Sequence, residues 1–231
     1  MTRHALIVGA GSGISAAFAR ALAEDGCTVA LAARNPDKLS ELVEETGGRA
    51  IACDVSDRAS VEAMFSQLDG DFGPLDLVHY NPSRRFSGPL VELDPDDVLS
   101  ALKITAYGGF LVAQQAARRM LERGEGAIFF TGASASVKGY AKSAPFAMGK
   151  FALRGLAQSM ARELHPQNVH IAHFVIDGGV RSEARGRVDS PDTPDAWLDP
   201  AAIADTYLHV FNQPRSVWTW EVELRPWVER F

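Results

Sequence analysis

The sequence of 231 residues is poor in cysteine and has no long apolar run. Its two cysteines, Cys27 and Cys53, stand in apolar surroundings, so we expect buried, reduced thiols and no disulfide framework. No stretch approaches the roughly 18 apolar residues that a membrane-spanning helix needs. The first residues lead directly into a predicted strand and lack the features of a signal peptide. These absences favour a cytoplasmic protein with no membrane partner.

The chain also lacks a basic arm or patch, and it lacks the residue spacing of a metal site. Its formal net charge is −6, and acidic and basic residues are mixed along its length, which argues against a nucleic-acid partner. The six histidines show no ligand spacing with carboxylates or cysteines, so no metal is expected.

Short β-rich runs alternate with longer helical patterns along the chain. The first strand is predicted at residues 5–8, a single helix at 94 to about 123, and a final strand at 218–224. This alternation predicts a Rossmann-type doubly wound α/β fold, in which helices cover both faces of a parallel sheet. We expect one domain over residues 1–231. The proline-rich segment 181–200 interrupts the pattern and is predicted to form a flap over the substrate.

Glycines connect the first predicted strand to the first helix. Gly9, Gly11 and Gly13 occur there, with Ser12 between the last two. Glycine lets the backbone come close to a pyrophosphate, and the exposed N–H groups of a helix N-terminus favour its negative charge. The position of the glycines at the first βα junction therefore predicts a dinucleotide site.

Several segments, taken in order, resemble the short-chain dehydrogenase/reductase family. Gly9 and Gly13 follow its glycine pattern, with Ser15 in the third place, and Asp54-Val55 matches its adenine-contacting pair. Asn81 matches the second Asn of its Asn-Asn-Ala-Gly segment, and residues 171–182 resemble its strand-six segment. The resemblance implies a nicotinamide dinucleotide cofactor held by Gly9, Gly11, Ser12, Gly13, Ile14, Arg34, Asp54, Val55, Asn81, Lys150, Gly178, Val180 and Ser182.

The end of the second strand bears on which dinucleotide is used. An acid at that position would bind the adenosine ribose hydroxyls and repel a 2′-phosphate. Here Ala33 takes the place of the acid and Arg34 follows, so a guanidinium is available to bind a 2′-phosphate. NADP is therefore the predicted cofactor, and NAD remains an alternative because Ser12 is not the basic residue that many NADP-using members carry in the glycine turn.

The catalytic positions depart from the family pattern. Members usually carry Asn, Ser and a Tyr-x-x-x-Lys motif, in which the tyrosine exchanges the substrate proton. Lys150 matches the lysine, but Phe146 stands at the tyrosine position, Ala133 at the serine position and Thr105 at the asparagine position. The chain thus resembles an atypical subgroup with Phe in place of the active-site Tyr.

Two further residues, Ser134 and Tyr140, are candidate substitute proton donors because they flank the changed positions.

The resemblance implies an oxidoreductase that transfers hydride between nicotinamide and a small carbonyl compound or alcohol, without the usual proton relay. Two alternatives remain open at this point. In the first alternative, the chain is a non-catalytic dinucleotide-binding or regulatory protein. In the second, its pocket has been reused for non-redox biosynthetic chemistry. Two long helices and the aromatic C-terminal stretch, with Trp218, Trp220, Trp227 and Phe231, predict a homodimer or homotetramer.

Overall fold

A computed structural model describes residues 2–230, so the two ends of the predicted domain, Met1 and Phe231, lie outside the described part. Within it, seven parallel strands form one sheet in the order β3-β2-β1-β4-β5-β6-β7. The strands are β1 (His4–Val8), β2 (Thr28–Ala33), β3 (Arg49–Ala52), β4 (Leu77–Tyr80), β5 (Gly126–Thr131), β6 (Val169–Ile176) and β7 (Glu221–Leu224). The predicted doubly wound α/β fold is confirmed.

Helices cover both faces of this sheet. They are α1 (Ile14–Glu24), α2 (Ser40–Thr46), α3 (Arg58–Asp71), α4 (Pro95–Leu102), α5 (Gly108–Arg123), α6 (Ala144–Leu164) and α7 (Pro200–Phe211). Residues alternate between the faces along β1, so that Leu6 and Val8 belong to one hydrophobic core and Ala5 and Ile7 to the other. Two-sided burial explains why the strands read as continuous apolar runs.

The single helix predicted from 94 to about 123 is wrong in one respect. A π-helical turn at Lys103–Tyr107 separates α4 from α5. The hydroxyl of Tyr80 donates to the main-chain oxygen of Ile104 inside this turn, so a buried side chain satisfies a carbonyl there. Tyr80 is fully buried. The hydrophobic pattern alone could not reveal a local change of helical hydrogen bonding.

The strand order reverses next to β1, which lies between β2 and β4. In an open parallel sheet, a crevice forms at the carboxyl ends of the strands where the connections diverge to opposite faces. The turns after β1, β4, β5 and β6 reach this edge, and it is the edge on which the predicted site residues were expected. The segment 181–200 contains only a short 3₁₀ turn at Glu183–Arg185 and isolated β-bridges before α7 begins.

Candidate active site

The turn from β1 into α1 provides a cradle built from backbone. Gly9 has a φ of 79°, and a Cβ there would lie 2.7 Å from Cγ of Pro82. By contrast, a Cβ added at Gly11 or Gly13 would meet no heavy atom within 4 Å. No side chain caps the N-terminus of α1 in the described structure. Open space and uncapped N–H groups at the positive end of a helix are suited to a pyrophosphate.

Two side chains fix the shape of this turn. Ser15 Oγ donates to the main-chain oxygen of Gly9 at 3.1 Å, and Asn81 Nδ2 donates to Ser15 Oγ at 2.7 Å. Asn81 thereby connects the ends of β1 and β4. The amide of Asn81 is already used in this contact, so its side chain supports the glycine turn from behind as well as bordering the crevice.

A wide cleft of about 990 Å³ extends from the glycine turn past the ends of β2 and β3. The sequence-predicted residues that line it are Gly9, Gly11, Ser12, Arg34, Asp54, Val55 and Asn81. The Asp54 carboxylate accepts hydrogen bonds from Ser56 Oγ at 2.7 Å and Ser56 N at 2.9 Å, and these bonds lower the pKa of Asp54. Asp54 is therefore ionised and fixed in place at neutral pH.

A second cleft of about 420 Å³ adjoins the first and is lined by side chains from β5, α6 and β6. Asn81 and Ser83 border both clefts, so the two form a continuous crevice. Of the predicted catalytic residues, the second cleft brings together Lys150, Phe146, Ala133, Ser134 and Tyr140. Of the predicted cofactor contacts, it adds Ile14, Gly178 and Val180, whereas Gly13 and Ser182 line neither cleft.

Lys150 is buried, and its Nζ donates to the main-chain oxygen of Thr131 at 2.7 Å. An ammonium group has three N–H donors, so two remain for other partners. Burial lowers the pKa of Lys150 to about 7, because loss of hydration disfavours the charged form. Lys150 is thus a group that gains and loses a proton near neutral pH at the border of the cleft.

The residues that the sequence analysis placed at the tyrosine and asparagine positions, Phe146 and Thr105, have defined contacts. The centroid of the Phe146 ring lies 6.0 Å from Lys150 Nζ and 5.2 Å from Cζ of Arg85. Thr105 does not reach the cleft. It is buried, and its Oγ1 accepts the backbone N–H of Arg84 at 3.2 Å. A Cβ on Gly149 would lie 2.9 Å from the Thr105 Cβ, so glycine there allows α6 to approach this threonine.

A buried polar chain lies beneath the cleft. Thr131 Oγ1 is 2.8 Å from His79 Nε2 and 3.0 Å from the Tyr207 hydroxyl. Burial, and secondarily the charge of Lys150, lowers the pKa of His79 to about 3, while burial raises the pKa of Tyr207. Neither side chain lines the cleft, and both stay neutral at physiological pH. Both bond the Thr131 hydroxyl, and His79 Nδ1 is left buried without a hydrogen-bond partner in the described residues.

Sequence reasoning missed four basic residues that border the crevice. Lys38 and Arg84 join Arg34 in the first cleft, and Arg85 and Arg187 line the second. The signal for Lys38 was its position four residues after Arg34. Arg85 lies in the loop after β4, and Arg187 lies in the aperiodic segment 181–200, where no pattern indicates which way a side chain points.

The described residues contain neither a metal-binding cluster nor a helix suited to crossing a membrane. No group of three or more His, Cys, Asp or Glu side chains is placed to hold a metal ion among residues 2–230. None of the helices in that range is both long and apolar enough to cross a bilayer. Cys27 and Cys53 are free and buried, and burial raises the pKa of Cys53 to about 11.

Comparison with known proteins gives consistent results. D-threitol dehydrogenase from Mycolicibacterium smegmatis is 33% identical over 172 residues, which cover 72% of this chain and 66% of that protein. A crystal structure of a short-chain dehydrogenase from Rhodopseudomonas palustris is 36% identical, with a TM-score of 0.83 and coverage of 97% of this chain and 99% of that one.

A solved alcohol dehydrogenase from the archaeon Thermococcus sibiricus, complexed with 5-hydroxy-NADP, is 26% identical with a TM-score of 0.87. That match covers 100% of this chain and 99% of the other. The family model for short chain dehydrogenases matches residues 3–192, which include the glycine turn, the Lys150 cleft and most of segment 181–200. The chain therefore belongs to the short chain dehydrogenases, a family of nicotinamide-dependent oxidoreductases.

Proposed function

We propose that this protein is an NADP-preferring oxidoreductase that transfers hydride between nicotinamide and a small carbonyl compound or alcohol. The observation that carries the proposal is the continuity of the crevice. The open glycine turn and the Lys150 cleft share Asn81 and Ser83 as a common border. A dinucleotide whose pyrophosphate lies at the turn would extend its nicotinamide end toward Lys150. When bound, the nicotinamide ring would supply or accept the hydride.

The preference for NADP rests on charge at the end of β2. Arg34 and Lys38 line the same cleft, Ala33 ends the strand without a carboxylate, and neither cation forms an ion pair with another residue of the described chain. Two cations at this position would stabilise a 2′-phosphate, and an acid that would repel it is missing from the strand end. NAD binding would lose this contribution but would keep the glycine turn.

We further propose that the chain belongs to a subgroup in which the usual proton relay is replaced. Phe146 has no ionisable proton, and Ala133 has no hydroxyl. Thr105 already accepts the backbone N–H of Arg84 and does not border the cleft. The Lys150 ammonium then becomes the proton donor in carbonyl reduction. Its proton would pass to the substrate oxygen as the carbonyl carbon receives hydride, and the neutral amine would take a proton back from water.

Ser134 and Tyr140 serve in this scheme as hydrogen-bond donors that orient the substrate oxygen. Both line the cleft, and Tyr140 is 47% exposed, so its hydroxyl is free to turn inward. Such orientation lowers the entropy cost of reaching the transition state. It requires no proton transfer by these groups.

Three expectations from the sequence are retained as proposals. The segment 181–200 acts as a flap over the substrate, because Arg187 within it and Val180 directly before it border the cleft. The chain forms a homodimer or homotetramer in the cytoplasm. The single domain extends over residues 1–231. Of the C-terminal aromatic residues behind the oligomer proposal, Phe231 lies outside the described residues, and Trp227 is 76% exposed in the single chain.

The test is an assay of NADPH oxidation with a panel of small aldehydes, ketones and oxo acids, run beside the double variant Phe146→Tyr, Ala133→Ser. Carbonyl-dependent oxidation by the wild type supports the proposal. NADPH binding without turnover on any carbonyl, combined with turnover by the double variant, would show that the natural site has lost this chemistry.

A further inference from the structure

Two guanidinium groups face the Lys150 cleft without a carboxylate partner. Arg85 and Arg187 both line it, and within residues 2–230 neither forms an ion pair or a side-chain hydrogen bond. Arg181, in the same segment as Arg187, behaves differently. It is bonded to Asp189 at 3.2 Å and to Asp199 at 2.5 Å. The guanidinium groups of Arg85 and Arg187 thus remain available to a ligand, whereas that of Arg181 is already used within the chain.

Each of these two side chains is held on an aromatic ring. Cζ of Arg85 lies 5.2 Å from the Phe146 centroid, and Cζ of Arg187 lies 5.9 Å from the Trp197 centroid. Cation–π contact orients a guanidinium while leaving the N–H groups at its edge available. Side chains positioned in this way lose less entropy when they bind a ligand than freely moving surface arginines do.

The backbone on both sides of these arginines is also fixed. The N–H of Arg84 donates to Thr105 Oγ1 at 3.2 Å, and that of Gly88 donates to the Lys142 carbonyl at 2.9 Å. Arg187 pairs with Ser182 through two backbone hydrogen bonds of 2.9 Å. Thr105 and Phe146, which stand at two of the altered family positions, thus both support the segment that carries Arg85.

The charge of the cleft is positive although the whole chain carries −6. Two acids border the cleft, Asp177 and Glu229. Asp177 is neutralised by Lys138 at 3.0 Å and Arg225 at 3.3 Å, and Glu229 is exposed. A cleft with unpaired cations on a protein of opposite net charge selects an anionic ligand.

We propose that the substrate of this cleft is an oxo acid or the corresponding hydroxy acid, whose carboxylate is bound by Arg85 and Arg187. This inference rests on the proposed hydride-transfer function, because the same cleft must hold the reacting carbonyl group. Guanidinium groups bind a carboxylate through paired, charge-assisted hydrogen bonds, whereas a neutral ketone would leave both arginines without a partner. In this arrangement Phe146 has a role that needs no hydroxyl, because its ring holds the Arg85 guanidinium in place.

The test compares short-chain 2-oxo acids with their primary amides, which keep size and shape but remove the charge. Binding to the protein–NADPH complex is measured by calorimetry, and turnover by NADPH oxidation. We expect each preferred acid to bind at least about tenfold more tightly than its amide, and the difference to shrink at high salt. Arg85→Gln and Arg187→Gln should each weaken acid binding about tenfold and leave amide binding unchanged. Arg185→Gln, an exposed residue outside the cleft, is the matched control and should change neither.

The possible outcomes separate this inference from the proposed function. Acid binding that depends on both arginines but occurs without turnover would support the carboxylate site and contradict hydride transfer. Turnover of neutral carbonyls with no preference for the acids would uphold hydride transfer and overturn the carboxylate site. Equal weakening of acids and amides in both variants, or no binding of either class to the NADPH complex, would overturn it as well.

Discussion

The crevice has two halves that are built in different ways. The half around β1 and α1 presents mainly backbone, with open space at Gly11 and Gly13 and an uncapped helix end. The half around β5 and α6 presents side chains, including a buried lysine, a phenylalanine ring and two arginines. The first half carries the glycine turn, and the second carries Phe146 and Ala133, which the sequence analysis placed at the tyrosine and serine positions.

This difference is what the proposed function requires, in which the cofactor site is kept and the proton donor is changed. A cradle of N–H groups is set by the fold and by glycines, so few substitutions there are tolerated. Side chains at the other half can be exchanged one by one while the sheet and α6 stay in place. Thr105 is an example, because it keeps its packing against Gly149 while its hydroxyl serves the loop that carries Arg85.

The half around β1 and α1, where the cofactor is proposed to bind, is called the cofactor half below, and the half around β5 and α6 the substrate half. The largest effect is expected from adding negative charge to the cofactor half. Gly11→Asp introduces a carboxylate into open space, at a residue whose φ does not require glycine, so the fold should persist. Like charges a few ångströms apart near a protein surface repel by about 4 kcal/mol, which predicts a loss of NADPH affinity of about a thousandfold. Binding is followed by fluorescence titration and folding by Tm.

The matched control is Gly11→Asn, which has nearly the same shape without the charge. It should lose much less affinity than Gly11→Asp. If both variants bind NADPH as the wild type does, the pyrophosphate does not lie at this turn, and the contrast between the two halves loses its basis.

A smaller effect is expected when the substrate half loses its proton donor. Lys150→Met should reduce kcat for carbonyl reduction by about a hundredfold and change NADPH affinity far less, because the pyrophosphate cradle is untouched. Wild-type reduction should fall as pH rises through about 7, where the ammonium loses its proton, and alcohol oxidation should rise over the same range. Lys150→Met should show neither dependence in this range.

Stability provides the control for Lys150→Met. The folded pKa lies below the ordinary value of 10.5, so the unfolded chain binds more protons than the folded one between about 7 and 10.5. The wild type therefore gains unfolding free energy as pH rises through that window, and the methionine variant should lack this gain and have a higher Tm at neutral pH. If the unfolding free energy of the wild type depended on pH in the same way as that of the variant, the group that loses its proton near pH 7 would not be Lys150.

The smallest effect is expected at the outer border of the cofactor half. Arg34→Gln should raise the Kd for NADPH about tenfold and leave that for NADH nearly unchanged, since only NADPH carries the 2′-phosphate. Lys38→Gln should act in the same direction and more weakly, because an ammonium does not bind phosphate through paired hydrogen bonds. Equal losses for both cofactors would place these cations away from the 2′-position.

The sequence was sufficient for the fold and for the place of the glycine turn at the end of β1, because β-strand runs and glycine spacing are local signals. It was insufficient for contacts between distant segments. The hydrogen bond from Lys150 to the Thr131 carbonyl, the π-helical turn around Ile104 and the buried position of Tyr80 all depend on how α5 and α6 pack on the sheet. Arg187 was missed for the same reason, as its direction is set by Trp197 and by the bridge to Ser182.

The most direct test of the central claim is a transfer experiment with NADPH carrying deuterium at C4. The reaction is run with the carbonyl compound that binds most tightly, and the product alcohol is analysed by mass spectrometry and NMR. The account predicts deuterium on the former carbonyl carbon, with a slower rate than unlabelled NADPH gives. Tight binding of NADPH and of the carbonyl compound, with no deuterium in any product across the panel, would contradict it.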